Sequence, residues 1–122
     1  MAYWLELPTF GDERGKLTII ENILPFEIKR FYYVYDVKGV RGGHRHHKTM
    51  QALVCLGGSC TVNVDDGKTK KTFLLKTSKK CLIVEPKDWH TMENFSKGAT
   101  LLVFASSYYD VADYIDQPYQ ND

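Results

Sequence analysis

The sequence predicts an all-β, single-domain protein, a small sandwich or barrel. Three observations carry this. Short runs rich in β-branched and aromatic residues recur along the 122 residues. Clusters of Gly, Pro and Asp separate them. Only one segment, Asp110 to Ile115, offers a helical turn. Many short strands with turns between them bury a core only by folding face to face or closing on themselves.

The elements follow in order. The turn Gly11-Asp12-Glu13-Arg14-Gly15 leads into a strand over Lys16–Glu21. Lys29 to Val37 is a strand dense in aromatic residues. Alternation places Phe31, Tyr33 and Tyr35 on one face and Arg30, Tyr32 and Val34 on the other; which face is internal stays open. A glycine turn (Gly39, Gly42, Gly43) precedes a histidine cluster, and the apolar run Gln51–Leu56 ends at Gly57-Gly58. Cys60–Val64 and Thr69–Leu75 flank Asp65-Asp66-Gly67, a hairpin signal. Cys81–Val84 ends at Glu85-Pro86, and Thr100–Ala105 is the last apolar strand. Residues 117–122 are expected to fray.

Composition narrows the function. The chain is 43% hydrophobic and 25% charged, which marks a globular protein. A net charge of +1 leaves no electrostatic footprint for nucleic acid or an anionic membrane. The basic stretch from Lys68 to Lys80 reads as a solvated strand edge. No apolar stretch reaches the roughly 18 residues a membrane helix needs, and Met1–Glu6 lacks signal-peptide character. The three cysteines, Cys55, Cys60 and Cys81, lie in apolar runs and fit reduced, buried thiols in a cytoplasmic protein.

The chemistry concentrates in Gly43-His44-Arg45-His46-His47-Lys48. On a strand, period-two alternation sends His44 and His46 to one face and Arg45 and His47 to the other. Two imidazoles aimed into one pocket either move protons or hold a metal.

This motif, followed by Gln51 and a Gly, resembles the first motif of the cupin superfamily. Pro86-Lys87-Asp88-Trp89-His90…Asn94 is similar to its second. The resemblance implies a cupin-type jelly-roll β-barrel with His44, His46, Gln51 and His90 in the lumen. Gln51 stands where metal-binding cupins carry a Glu, so a metal site would lack its anionic arm. A narrower resemblance, from about Phe10 to Phe104, is to the sugar 3,4-ketoisomerases acting on dTDP-4-keto-6-deoxyglucose, the WxcM-like cupins. It rests on Asp12-Glu13-Arg14-Gly15-Lys16-Leu17, Arg41-Gly42-Gly43-His44-Arg45-His46, Gln51–Leu56, Gly58-Ser59-Cys60, Asp65-Asp66-Gly67 and Trp89-His90…Asn94-Phe95-Ser96. That family usually has Ala between the histidines and Lys after the second; Arg45 and His47 stand there instead.

The resemblance implies a dTDP-3-keto-6-deoxyhexose product, with the galacto epimer favoured. It also implies homodimers, with Tyr3-Trp4-Leu5 as a contact or exchanged strand. Moving a ketone from C4 to C3 needs a base for the C3 proton, a donor for C4 and proton handling at oxygen. Histidine suits all three, and neither a redox cofactor nor a metal is required. His44 is expected as the carbon base and His46 as its partner at oxygen. Arg41 and Arg14, with Arg30 behind them, are candidates for the diphosphate. Tyr33, Tyr35 and Trp89 are candidates for stacking on thymine. Gln51 is expected to fix a histidine tautomer, and His90 with Arg14 to influence the C4 product. The alternatives are a metal-dependent cupin using His44, His46 and His90, and a non-catalytic sugar-nucleotide-binding module.

Overall fold

The computed structural model describes residues 1–120. The strands are β1 (Tyr3–Glu6), β2 (Thr9–Asp12), β3 (Gly15–Thr18), β4 (Arg30–Val34), β5 (Arg41–His46) and β6 (Gln51–Leu56). They continue with β7 (Cys60–Asp65), β8 (Lys70–Leu75), β9 (Lys80–Val84), β10 (Trp89–Glu93), β11 (Thr100–Ala105) and β12 (Tyr114–Ile115). Two five-stranded sheets face each other, ordered β1-β9-β6-β11-β4 and β12-β5-β10-β7-β8, and β2 and β3 form a separate hairpin. All pairings are antiparallel. This is the all-β jelly-roll barrel that the sequence implies.

The core is built from the inward positions of both sheets: Leu53, Cys55, Leu82, Val84, Leu101 and Val103 from the first, Val62, Val64, Phe73, Leu75 and Met92 from the second. Each fully buried aliphatic side chain contributes about 1.5–3 kcal/mol. The first sheet is covered on its outer face as well. Ala52, Val54, Cys81 and Ile83 pack there under Leu7, Ile20, Ile23, Leu24 and Phe26. Burial on both faces explains why Gln51–Cys55 shows an unbroken buried run rather than alternation. The three thiols are buried and free.

Boundaries differ from the sequence reading where the backbone turns sharply. The aromatic strand ends at Val34, before Asp36, which takes φ 52°. The strand expected over 16–21 is shorter, Gly15–Thr18. β1 covers the Tyr3-Trp4-Leu5 segment expected as a contact or exchanged strand, whereas β2 is not among the expected strands, and β10 carries the second histidine motif. Gly42 and Gly43 were expected in a turn but lie within β5, with φ 84° and 83°. A Cβ at Gly42 would stand 2.9 Å from the His90 carbonyl oxygen, so this close approach of β5 to β10 requires glycine. The lysine-bearing β8 is an edge strand, as expected, with Lys70 and Lys71 exposed.

At the C-terminal end, the turn expected over 110–115 is a 3₁₀ turn, Val111–Asp113, capped by the Asp110 side chain. β12 follows and pairs with β5, Tyr114 opposite His46. The segment expected to fray from Gln117 is held as far as Tyr119. The Tyr119 hydroxyl donates to the Lys87 carbonyl (2.6 Å), and the Arg45 guanidinium lies 4.1 Å from its ring centre. Residues 121 and 122 lie outside the described residues.

Candidate active site

His44 and His46 project from β5 into the barrel and meet His90 from β10, which pairs with His44 across the strands. The ring centres of His44 lie 5.2 Å from those of both His46 and His90. Tyr114 closes the group, its ring 4.8 Å from His44 and 4.6 Å from His46. His47 alternates outward and is exposed. Among the described residues, no three His, Cys, Asp or Glu side chains converge as metal ligands.

His46 is the most constrained of the three. It is 4% exposed, and its Nδ1 lies 2.9 Å from Asp113 Oδ2. Asp113 also accepts from the Lys48 amide at 2.8 Å and from the Thr49 hydroxyl. Burial alone would raise the Asp113 carboxyl, but these hydrogen bonds hold it below the usual carboxylate range. An ionised acceptor at Nδ1 assigns the proton to that nitrogen and leaves Nε2 as a lone-pair base. His46 Nε2 is buried and has no protein partner. Burial, assisted by the charge of Arg30, lowers the His46 pKa despite the opposing pull of Asp113. A neutral, oriented imidazole with a free nitrogen is a general base.

The other two imidazoles are also held neutral. Burial and then the neighbouring His46 lower His44. His90 is 1% exposed, and burial pushes it down to about 4. Its Nδ1 donates to the Asp88 carbonyl at 3.0 Å, fixing its tautomer. Asp88 is itself fully buried, and its Oδ2 accepts the Glu85 amide at 2.9 Å. That bond shapes the turn delivering His90.

The family model described as FdtA: WxcM-like, C-terminal, matches residues 2–121. The chain belongs to the WxcM-like family of sugar 3,4-ketoisomerases. A TDP-4-oxo-6-deoxy-alpha-D-glucose-3,4-oxoisomerase of Aneurinibacillus thermoaerophilus is 47% identical over 110 residues, covering 87% of this chain and 79% of that protein. The 3,4-ketoisomerase QdtA from Thermoanaerobacterium thermosaccharolyticum is known as a His-to-Asn variant in complex with TDP-4-keto-6-deoxyglucose. It is similar at TM-score 0.91 and 36% identity, covering 95% of this chain and 87% of that one. The WlaRB TDP-quinovose 3,4-ketoisomerase from Campylobacter jejuni is similar at TM-score 0.90 and 39% identity, over 95% and 92% of the two chains.

This WxcM-like chain gathers only part of the expected site around the histidines. Gln51 is buried in the barrel, but its Nε2 donates to the Tyr32 hydroxyl at 3.3 Å and not to a histidine. Asp113 and the Asp88 carbonyl fix the tautomers instead, because they reach the Nδ1 atoms. Tyr32 points inward and retains its proton strongly, chiefly because burial disfavours the phenolate. Arg41 is exposed at the start of β5, and its charge is felt by Tyr32. Tyr33 and Tyr35 are on the outer face, 58% and 60% exposed, with Phe31 in the same row. Arg14 lies at the tip of the β2–β3 hairpin, its guanidinium paired with Asp12 at 2.6 Å. Trp89 alternates away from His90 and lines a separate cleft of about 470 Å³ with Asn63, Thr72 and Tyr119.

Asp113, Thr49 and Tyr114 were not anticipated. Asp113 and Tyr114 stand among Asp and Tyr residues of the tail with no distinguishing spacing. Only the pairing of β12 with β5 brings them to the histidines.

Proposed function

We propose that the protein converts dTDP-4-keto-6-deoxy-D-glucose to the dTDP-linked 3-keto-6-deoxyhexose, with His46 as the base at carbon. The carrying observation is the His46–Asp113 pair with its unpartnered Nε2. His46 Nε2 takes the C3 proton. The C3–H electron pair forms the C3=C4 bond, and the carbonyl pair moves onto O4. The imidazolium then returns its proton to C4, while O3 gives up its proton and becomes the new carbonyl. His44, neutral and half-buried beside His46, handles the transfer from O3 to O4. This reverses the roles that the sequence alone suggested, because among the described residues His46 is the histidine hydrogen-bonded to a carboxylate. One hydrogen leaves C3 and one, exchangeable with solvent while it sits on the imidazolium, reaches C4, so the reaction needs no external electron carrier.

Arg41 serves the diphosphate at the barrel mouth. His90, inside the pocket, influences which face of C4 is protonated, with the galacto product favoured; His90→Asn should change the product ratio. Arg14, Tyr33, Tyr35 and Trp89 stand apart from the histidines within one chain. A homodimer is the proposed assembly. β1 pairs with β9 of its own chain, so the contact proposed is the exposed aromatic row of β4 together with Phe10 and Leu17, 61% and 60% exposed on the hairpin. The proposed setting is the cytoplasm, with neither nucleic acid nor membrane as partner. No described helix is long and apolar enough to cross a membrane.

Proton NMR with dTDP-4-keto-6-deoxyglucose in deuterated water tests the reading. A new 3-keto signal set and deuterium uptake are expected from wild type, not from His46→Asn, and with slower turnover from His44→Asn. No reaction from folded wild type would overturn the assignment. Activity that appears only on adding a divalent metal would favour the three-histidine metal alternative. Binding without exchange would favour a binding module.

A further inference from the structure

Arg30 turns inward from β4 and is half-buried. Among the described residues, no carboxylate oxygen lies within the 4.0 Å of an ion pair from its nitrogens. Its guanidinium carbon sits 5.3 Å from the Tyr32 ring centre and 5.5 Å from that of Tyr109. Nη2 donates to the Tyr114 hydroxyl at 3.3 Å, and Nε is buried without any partner. Aromatic faces offset part of the cost of holding a cation here. They do not replace an anion, and a half-buried guanidinium whose Nε–H is buried and unpartnered is a site prepared for one.

The position of that anion follows from Tyr114. Its ring contacts both His44 and His46, and its oxygen accepts from Arg30, which leaves the phenol O–H free to donate. When C3 loses its proton, negative charge develops on O4 of the enediolate beside these histidines. We propose that the Tyr114 hydroxyl is the hydrogen-bond donor to that oxygen, and that Arg30 is the positioning residue that charges and aims it. A fixed donor backed by a cation stabilises charge present only in the transition state and intermediate. This rests on the ketoisomerase reading above.

The test compares Arg30→Gln, Arg30→Lys and Tyr114→Phe with wild type, measuring kcat at saturating substrate, C3 exchange by NMR and the Kd of TDP by calorimetry. Arg30→Gln and Tyr114→Phe are each expected to lose about 100-fold or more in kcat, with TDP binding within about twofold of wild type. Arg30→Lys is expected to recover roughly tenfold over Arg30→Gln, since it restores charge without the fork. Weakened TDP binding with kcat retained in Arg30→Gln would overturn the proposal and assign Arg30 to the diphosphate. If Arg30→Gln does not fold, Tyr114→Phe decides: wild-type kcat there overturns the proposal. An inactive wild type would instead refute the ketoisomerase reading, so the two failures are distinguishable.

Discussion

The Nδ1 of His46 lies 2.9 Å from Oδ2 of Asp113, although 67 residues separate them in the chain. Asp113 is not free to turn away. It accepts from the Lys48 amide and the Thr49 hydroxyl, and its own carbonyl accepts the His47 amide at 3.0 Å. The carboxylate is therefore locked before it orients the imidazole. Asp113→Asn keeps the shape but replaces the anion with an amide that donates as well as accepts. Steady-state kinetics should show kcat reduced about 100-fold or more, by analogy with other carboxylate–histidine pairs. Binding of TDP should change little. An unaltered kcat would remove Asp113 from the mechanism.

The Gln51–Tyr32 contact ties the floor of the first sheet to the aromatic strand. Gln51 is 2% exposed, and its donation to the Tyr32 hydroxyl is the bond found for its amide nitrogen. Tyr32→Phe leaves that N–H buried without an acceptor. Denaturant unfolding should show a loss of about 1–3 kcal/mol. Gln51→Leu in the Tyr32→Phe background should recover part of it, since both polar partners are then gone. No recovery in the double variant would mean that the hydrogen bond is not the source of the loss.

Acid should destabilise the fold through the histidines. The folded-state pKa of His90 is depressed to about 4 by burial, while an unfolded histidine titrates at about 6.5. Below about 6.5 the unfolded chain binds a proton that the native chain refuses, so stability falls as pH falls, by the linkage relation. Across the window from about 6.5 down to about 4 the loss from His90 is on the order of 3 kcal/mol. His44 and His46, depressed in the same direction, add to it. Buried Asp88, whose carboxyl burial pushes up, acts in the opposite sense. Unfolding curves of wild type and His90→Gln across this range isolate the histidine. Equal pH slopes would contradict the assignment.

Gly42 supports the site without touching it chemically. It has φ 84°, and a side chain would meet the His90 carbonyl at 2.9 Å and Met92 Sδ at 3.1 Å. Gly42→Ala therefore combines left-handed strain with a clash against the strand that carries His90. A stability loss of more than about 1 kcal/mol is expected, together with reduced kcat as His44 and His90 separate. Wild-type stability would show that β5 can move without cost.

Much of this was legible in the sequence. The strand signals and turns placed most of the two sheets, and the His44-x-His46 spacing placed both imidazoles on one face, because alternation is local to a strand. The second motif brought His90 to the same lumen. Local signals failed where a residue's role depends on a partner far along the chain. Asp113 was invisible because nothing near it in sequence distinguishes it from Asp110 or Asp116.

Local periodicity is enough to read an all-β chain and the histidine pair, and the ordered motif blocks carry the resemblance to the family and its barrel. The packing of the two sheets sets Phe31, Tyr33 and Tyr35 outward and Arg30 and Tyr32 inward. Both faces of that strand are aromatic, so hydrophobic pattern alone gave no direction. Tertiary structure also decides which histidine is backed by a carboxylate, because β12 returns to pair with β5 and carries Asp113 to His46 and not to His44. Burial, hydrogen-bond partnership and pKa are properties of what surrounds a group, and in a β-barrel those surroundings come from strands distant in sequence.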